Sequence, residues 1–228
     1  MGEPSFTTEL FGFLDDLAAN NDRAWFKANR QRYEDAVLEP ALAFVAAFAG
    51  QLVPISRHYL AEARPLGGSL FRLQRDTRFS KDKTPYKTNL GISFRHQQRA
   101  DAHTPAFYLH LQPGNVFAAA GVWHPERTAL GRIRDAIVAH PERWRQAAHG
   151  EPFATVYHLG GESLLRPPRG YDPASPLLED LKRKDFFGVA ELPDEAVLAP
   201  DFLEEYAHLC RVAAPFMRLL CDAVGVPF

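Results

Sequence analysis

The stretch Ala106-Phe107-Tyr108-Leu109-His110-Leu111-Gln112-Pro113-Gly114-Asn115-Val116-Phe117-Ala118-Ala119-Ala120-Gly121-Val122 decides the fold class. Two short runs carrying aromatic and branched residues flank Pro113-Gly114-Asn115, a trio suited to a tight connection. The pattern predicts strands over 106–112 and 116–122, joined as a hairpin. In the first run Phe107, Leu109 and Leu111 alternate with Tyr108 and His110. Successive side chains of a strand point to opposite faces, so Tyr108 and His110 share the face opposite the apolar one.

Outward from this hairpin, Leu90 to Phe94 reads as a further strand, and Leu70 to Gln74 as a weaker one. The N-terminal third is helical in period. Leu10, Phe13, Leu14 and Leu17 mark a helix over 6–19, and Asn21 is placed to cap the next. That second helix carries Trp25, Phe26, Asn29, Tyr33 and Val37, and a third runs from Pro40 to Pro54. On the C-terminal side, helices are expected over 127–139, 141–148 and 177–184, with a strand over 186–191. The strongest helical stripe runs from Phe202 to Val224. Pro215 should kink or split it and Gly225 should stop it. Helices, then antiparallel strands, then helices give an α+β class: one domain over 1–228, an antiparallel sheet flanked by N- and C-terminal helices.

Composition bounds the rest. The chain has 228 residues, 46% hydrophobic and 24% charged, with a formal net charge of −2. A disordered chain would be poorer in apolar residues and richer in charge. A chain of this length buries about 70% of its unfolded surface and needs no disulfide or metal staple. No apolar run approaches the roughly 18 residues of a spanning helix; the longest, Ala41 to Ala49, is too short. The N-terminus lacks the basic and apolar regions of a secretion signal, so a cytoplasmic location without membrane contact is expected. Cys210 and Cys221 fall about 16 Å apart along one helix, too far to bridge. No Cys/His spacing suggests a metal site, and none of the nucleotide-loop or nucleophile-elbow motifs occurs. No cofactor follows from the residues.

Charge is polarised along the chain. Residues 70–99 hold Arg72, Arg75, Arg78, Lys81, Lys83, Lys87, Arg95 and Arg99 against Asp76 and Asp82, a net of +6, so the remainder sums to −8. Within this segment, 75–89 has neither helical nor strand period and forms a long polar connection, of the kind usually functional or disordered. Phe79 and Tyr86 can anchor it. Arg75, Arg78, Lys81, Lys83 and Lys87, with hydroxyls such as Ser80, suit an oxyanion. Asp76 and Asp82 can orient the guanidinium groups, hold a divalent cation, or act as a base. The plainer alternative is a solvated basic loop that pairs with acidic groups elsewhere.

The run Arg75-Asp76-Thr77-Arg78-Phe79-Ser80-Lys81-Asp82-Lys83-Thr84-Pro85-Tyr86-Lys87 resembles the signature of a bacterial and fungal family, the domain of unknown function 2461. The resemblance extends to Phe13-Leu14, Asn20-Asn21, Arg23, Trp25-Phe26, Asn29-Arg30 and Tyr33-Glu34. It continues through Phe107 to Leu111, Pro113-Gly114, Gly121 and Trp123, and covers about residues 6–224. It implies a single domain and a loop with more than a surface role. It assigns no activity, cofactor or catalytic residue.

Two further groups merit weighing. Trp25, Asn29 and Tyr33 share a helix face with Arg30 beside them; they can line a pocket or form a core edge with satisfied polar tips. Where its sheet face lines a cavity, Tyr108 joins them as a ligand contact, and His110 on the same face is then the acid or base suited to neutral pH. Asp76 and His110 are the catalytic candidates. Three functions compete: an anion site for a phosphorylated or carboxylated small molecule, with or without catalysis; a nucleic-acid module using Phe79, Tyr86 or Trp123 to stack; and a non-enzymatic interaction protein whose basic loop is paired within the fold. The sequence pI of 6.5 weighs against the second.

Overall fold

The computed structural model describes residues 6–98 and 104–228; Arg99, counted in the basic segment above, lies outside them. The chain opens with α1 (Thr8–Ala19), α2 (Arg23–Ala28) and α3 (Arg30–Tyr33). A π-helical turn at Glu34–Leu38 then leads into α4 (Glu39–Ile55). The sheet begins with β1 (Tyr59–Leu60), β2 (Leu90–His96), β3 (Ala106–Leu111) and β4 (Val116–Val122). Next come α5 (Arg127–Ala139), α6 (Pro141–His149), α7 (Phe153–Val156) and β5 (His158–Leu159). The chain closes with α8 (Leu178–Lys182), β6 (Phe186–Leu192), α9 (Asp194–Leu198) and α10 (Phe202–Val224).

The strands form one antiparallel sheet in the order β1-β2-β3-β4-β6-β5. The alternation read from the sequence sets its faces. Phe107, Leu109, Leu111, Ala118, Ala120, Ile92 and Phe94 are buried towards the helices, where Phe94 meets Phe48 at 4.5 Å and Tyr206 at 5.9 Å. The cross-strand rows Gly91–His110–Phe117–Glu191 and Ser93–Tyr108–Ala119–Val189 make the other face. Helices α4 and α10 pack together on the buried side, so the sheet has one helical layer and one face left to loops and solvent.

Several expectations need correcting. The separate helices proposed over 21–37 and 40–54 are a short α2 and then one continuous helical run from Arg30 to Ile55. Pro40 cannot donate to the carbonyl of Ala36 and would crowd it; Ala36 sits in the π turn, where the ladder is already rearranged. By length and composition this run is long and apolar enough to cross a membrane, which the count of uninterrupted apolar residues missed. Its stripe of Ala41, Phe44, Val45, Phe48 and Leu52 lies in the core. Pro215 does not split α10, which is continuous and ends in a left-handed Gly225 with φ 85°. Pro215 is exposed while Val212, Ala213, Phe216 and Met217 are buried, so the unpaired carbonyl side faces water and packing carries the helix on past it. Leu70 to Gln74 is not a strand; it contributes isolated bridges, Leu70 to Ile92 and Gln74 to Tyr86. Both cysteines are buried free thiols.

Phe48 is fully buried among Phe44, Phe94 and Tyr206. Phe48→Ala should therefore destabilise the fold by about 3–5 kcal/mol. Urea denaturation measures it, and a loss below about 1 kcal/mol would place this ring outside the cooperative core.

Candidate functional site

The connection 75–89 is folded back on itself. Its stem is a short antiparallel pair: Arg75 N–H donates to Pro85 C=O and Lys87 N–H to Leu73 C=O, each at 2.8 Å. The stem is clasped from outside by Asn21. Its amide donates to Tyr86 C=O at 3.0 Å, and its Oδ1 accepts the Tyr86 N–H at 3.0 Å. The Tyr86 ring is buried and stacks on Phe26 at 4.3 Å. Asn21 is thus not the helix cap; Asp22 is, accepting from Ala24 and Trp25 N–H. Phe79 is not an anchor, being 94% exposed at the tip.

At the tip the acids orient the arginines. Arg78 reaches both oxygens of Asp76 at 2.9 and 2.7 Å. Arg75 pairs with Asp82 and Thr84. Lys83 donates to Thr77 C=O at 2.9 Å. The Arg78 side chain holds the Asp76 carboxyl below its usual range. The Thr84 N–H, then Arg75, hold Asp82 at about 2. Lys81 is exposed and Ser80 half-buried. Arg75 and Arg78 therefore meet carboxylates within the loop, whereas Lys83 meets a carbonyl.

A different arrangement lies at the root of the loop, on the sheet face away from the helices. Phe71 is attached there by its N–H to Gly91 C=O at 2.9 Å. Gly91 leaves room for both rings: a Cβ would come within 2.8 Å of the Tyr108 hydroxyl and 3.0 Å of the Phe71 ring, so either would have to shift. Two cations lie over Phe71, and a third, Arg72, follows it in sequence. Lys87 Nζ lies 5.1 Å and the Arg95 guanidinium 5.0 Å from the ring centroid. Arg72 is close enough to repel Lys87, which burial first and Arg72 second hold below the usual lysine value. Among the described residues no carboxylate pairs with Arg72, Lys87 or Arg95.

Tyr108 and His110 continue this face. The Phe71 and Tyr108 rings meet edge-on at 5.9 Å. Tyr108 Oη lies 3.0 Å from His110 Nδ1, Asn89 Nδ2 lies 3.4 Å from the same nitrogen, and Gln112 Oε1 lies 3.2 Å from Nε2. One tautomer satisfies all three: Nε2–H donates to Gln112, and Nδ1 accepts from Tyr108 or Asn89. The His110 ring stacks on Phe117 at 4.6 Å. Burial pushes its pKa below 6.5 and raises the Tyr108 hydroxyl to about 12, so both are neutral near pH 7.

The chain matches the family described as Conserved hypothetical protein (DUF2461) over residues 9–219. It belongs to that family. No curated protein and no solved structure matches it. For this DUF2461 chain the site must therefore be argued from its own residues.

The remaining sequence candidates lie elsewhere. Trp25 and Tyr33 both pack on Phe13 at 5.7 Å, Asn29 donates to Trp25 C=O at 3.0 Å, and Arg30 pairs with Glu34 at 2.8 Å. Trp25 and Tyr33 thus pack at the edge of the core, while Asn29 and Arg30 are bonded within their own helical run. Two surface concavities run between α5, α6 and α10. Their arginines are engaged: Arg143 by Asp222, Arg211 by Glu204, and Arg218 over the Phe228 ring at 4.7 Å. No group of three metal-ligating side chains occurs among the described residues. Of the sequence candidates, Lys87, Tyr108 and His110 fall on this face together; Phe71, Arg72 and Arg95, which share it, were not among them. Arg95 was findable, since strand parity puts it two residues from Ser93 on the Tyr108 face; Phe71 was not, because its placement depends on a pairing with Gly91.

Two outcomes follow from this geometry. Asn21→Ala leaves both polar backbone groups of Tyr86 without their partner. It should cost about 1–3 kcal/mol, with amide exchange accelerating first in 73–89; unchanged protection there would refute the clasp. His110 should titrate below 6.5 by NMR. Its folded pKa is lowered, so between that value and 6.5 the unfolded chain binds more protons, and stability falls as pH drops through this window. A His110 midpoint at or above 6.5 would contradict the neutral network.

Proposed function

We propose that this protein binds the phosphate or carboxylate group of a small molecule at Arg72, Lys87 and Arg95, at the root of the 75–89 loop. The observation that carries the reading is the placing of Lys87 and Arg95 over one ring with Arg72 near Lys87, no carboxylate among the described residues pairing with them, and the Lys87 charge disfavoured by burial and then by Arg72. An anion placed there relieves the repulsion among them. Arg95 offers a planar fork and Lys87 a point charge, a combination suited to oxyanions. The tip residues Arg75 and Arg78 have internal acids, so they shape the loop and add a diffuse positive field. Asp76 orients Arg78 in this reading and is not a base.

Tyr108 and His110 stand beside the cations as a neutral donor–acceptor pair. A ligand oxygen that competes for the Tyr108 hydroxyl frees His110 Nδ1 to take a proton. This is how the site would support acid–base chemistry on a phosphorylated small molecule.

Thermal shift against phosphate at constant ionic strength tests the reading. A ligand at 100 times its dissociation constant should add about 2.7 kcal/mol of stability. Lys87→Met and Arg95→Gln should each abolish the shift, while Arg78→Gln retains it. A shift lost in Arg78→Gln and kept in the other two would move the site to the loop tip.

A further inference from the structure

Next to Phe71 the cation-bearing face carries side chains with hydrogen-bonding capacity to spare. A Cβ on Gly91 would meet both the Tyr108 hydroxyl, at 2.8 Å, and the Phe71 ring, at 3.0 Å. That hydroxyl therefore stands beside the ring over which Lys87 and Arg95 lie. It is 3.0 Å from His110 Nδ1, and Asn89 and Gln112 flank the imidazole at 3.4 and 3.2 Å. Each step from the cations to Gln112 is thus between neighbouring groups. The neutral imidazole accepts only one bond at Nδ1, so one of its two candidate donors, the Tyr108 hydroxyl or the Asn89 amide, is left over. Among the described residues nothing pairs with Asn89 Oδ1 or with Gln112 Nε2. Phe117 stacks on His110 at 4.6 Å and lies 6.0 Å from Tyr108. Asn89, Tyr108, His110, Gln112 and Phe117 are all half-buried, so their free groups remain open to a ligand.

The spare groups are of both kinds: a hydroxyl or amide N–H and Gln112 Nε2 donate, and Asn89 Oδ1 accepts. A second carboxylate or phosphate only accepts, and an alkyl tail does neither, so each would leave part of the set unpaired. A hydroxyl donates and accepts at once and meets all of it. The rings of Tyr108 and Phe117 offer negative faces beside these polar tips, which suit carbon-bound hydrogens polarised by neighbouring oxygens. We infer that the ligand is a phosphorylated sugar or polyol, with its phosphate on Lys87 and Arg95, its hydroxyls on Tyr108, Asn89 and Gln112, and its C–H groups against Phe117. This rests on the anion site proposed above and adds what the anion is attached to.

Calorimetry at constant ionic strength, with inorganic phosphate, n-pentyl phosphate and ribose 5-phosphate as probes, separates the two claims. The two esters match in carbon number and charge and differ in their hydroxyls. Ribose 5-phosphate should bind about tenfold tighter than n-pentyl phosphate, the net worth of one or two hydrogen bonds. Asn89→Leu and Gln112→Leu should each shrink that ratio without weakening n-pentyl phosphate, and Lys87→Met should weaken both esters. Equal or tighter binding of n-pentyl phosphate to the parent protein, a comparison that needs no variant, overturns the polyol inference and leaves the anion site standing. Amide variants that weaken both esters equally overturn it too, because the amides then act on the phosphate. Failure of all three probes overturns both claims. The methyl diester of ribose 5-phosphate as a fourth arm assigns the source: weaker binding than the monoester marks a free sugar phosphate, and equal or tighter binding marks a phosphodiester such as a lipid headgroup.

Discussion

Pairing of Phe107 with Ala120 and of Leu109 with Ala118 locks the hairpin in one register, and that register separates two chemistries. On one side it stacks apolar side chains against α4 and α10. On the other it lines up Tyr108 with Ser93 and Ala119, and His110 with Gly91 and Phe117. A slip by one residue would exchange the faces and bury the polar set. Because the helices form a single layer, the second face has only loops to cover it. Phe71 does part of that covering and brings its cations along.

The basic segment divides into two electrostatic regimes. At its tip, acid and base alternate closely enough that Asp76 and Asp82 are held ionised by the groups beside them. Such exposed pairs contribute little to stability. Their effect is to fix the shape of a loop that Asn21 and Phe26 fasten at its root. At the root no carboxylate among the described residues pairs with Arg72, Lys87 or Arg95. Lys87 is partly buried and repelled by Arg72, and this frustrated charge is what an anion would resolve. Residues that favour a ligand at the expense of the empty protein are a mark of a binding site.

Much of the fold could be read directly. The α+β class, the bounds of β4 and α5, and the Gly225 stop follow from local pattern, since each depends on residues within a few positions. What could not be read depends on partners far along the chain. Asn21 looks like a cap until Tyr86 arrives 65 residues later. Phe71 looks like part of a strand until Gly91 gives it a place to lie. Phe79 looks like an anchor but stays exposed at the tip, with the Arg78 guanidinium over its ring. For the candidate site, the charge excess drew attention to residues 70–99, and strand parity placed Tyr108 and His110 on one face, as the structure has them. Which cations meet a carboxylate is a question of tertiary geometry: Arg75 and Arg78 do at the tip, while Lys87 and Arg95 lie over Phe71 at the root.

Backbone amide chemical-shift mapping with inorganic phosphate, at constant ionic strength, tests the central claim most directly. The account predicts saturable shifts concentrated at Phe71, Arg72, Lys87, Asn89 and Arg95, extending to Tyr108 and His110. Shifts confined to residues 77–83, or spread evenly over the arginines of α5 and α10, would contradict it.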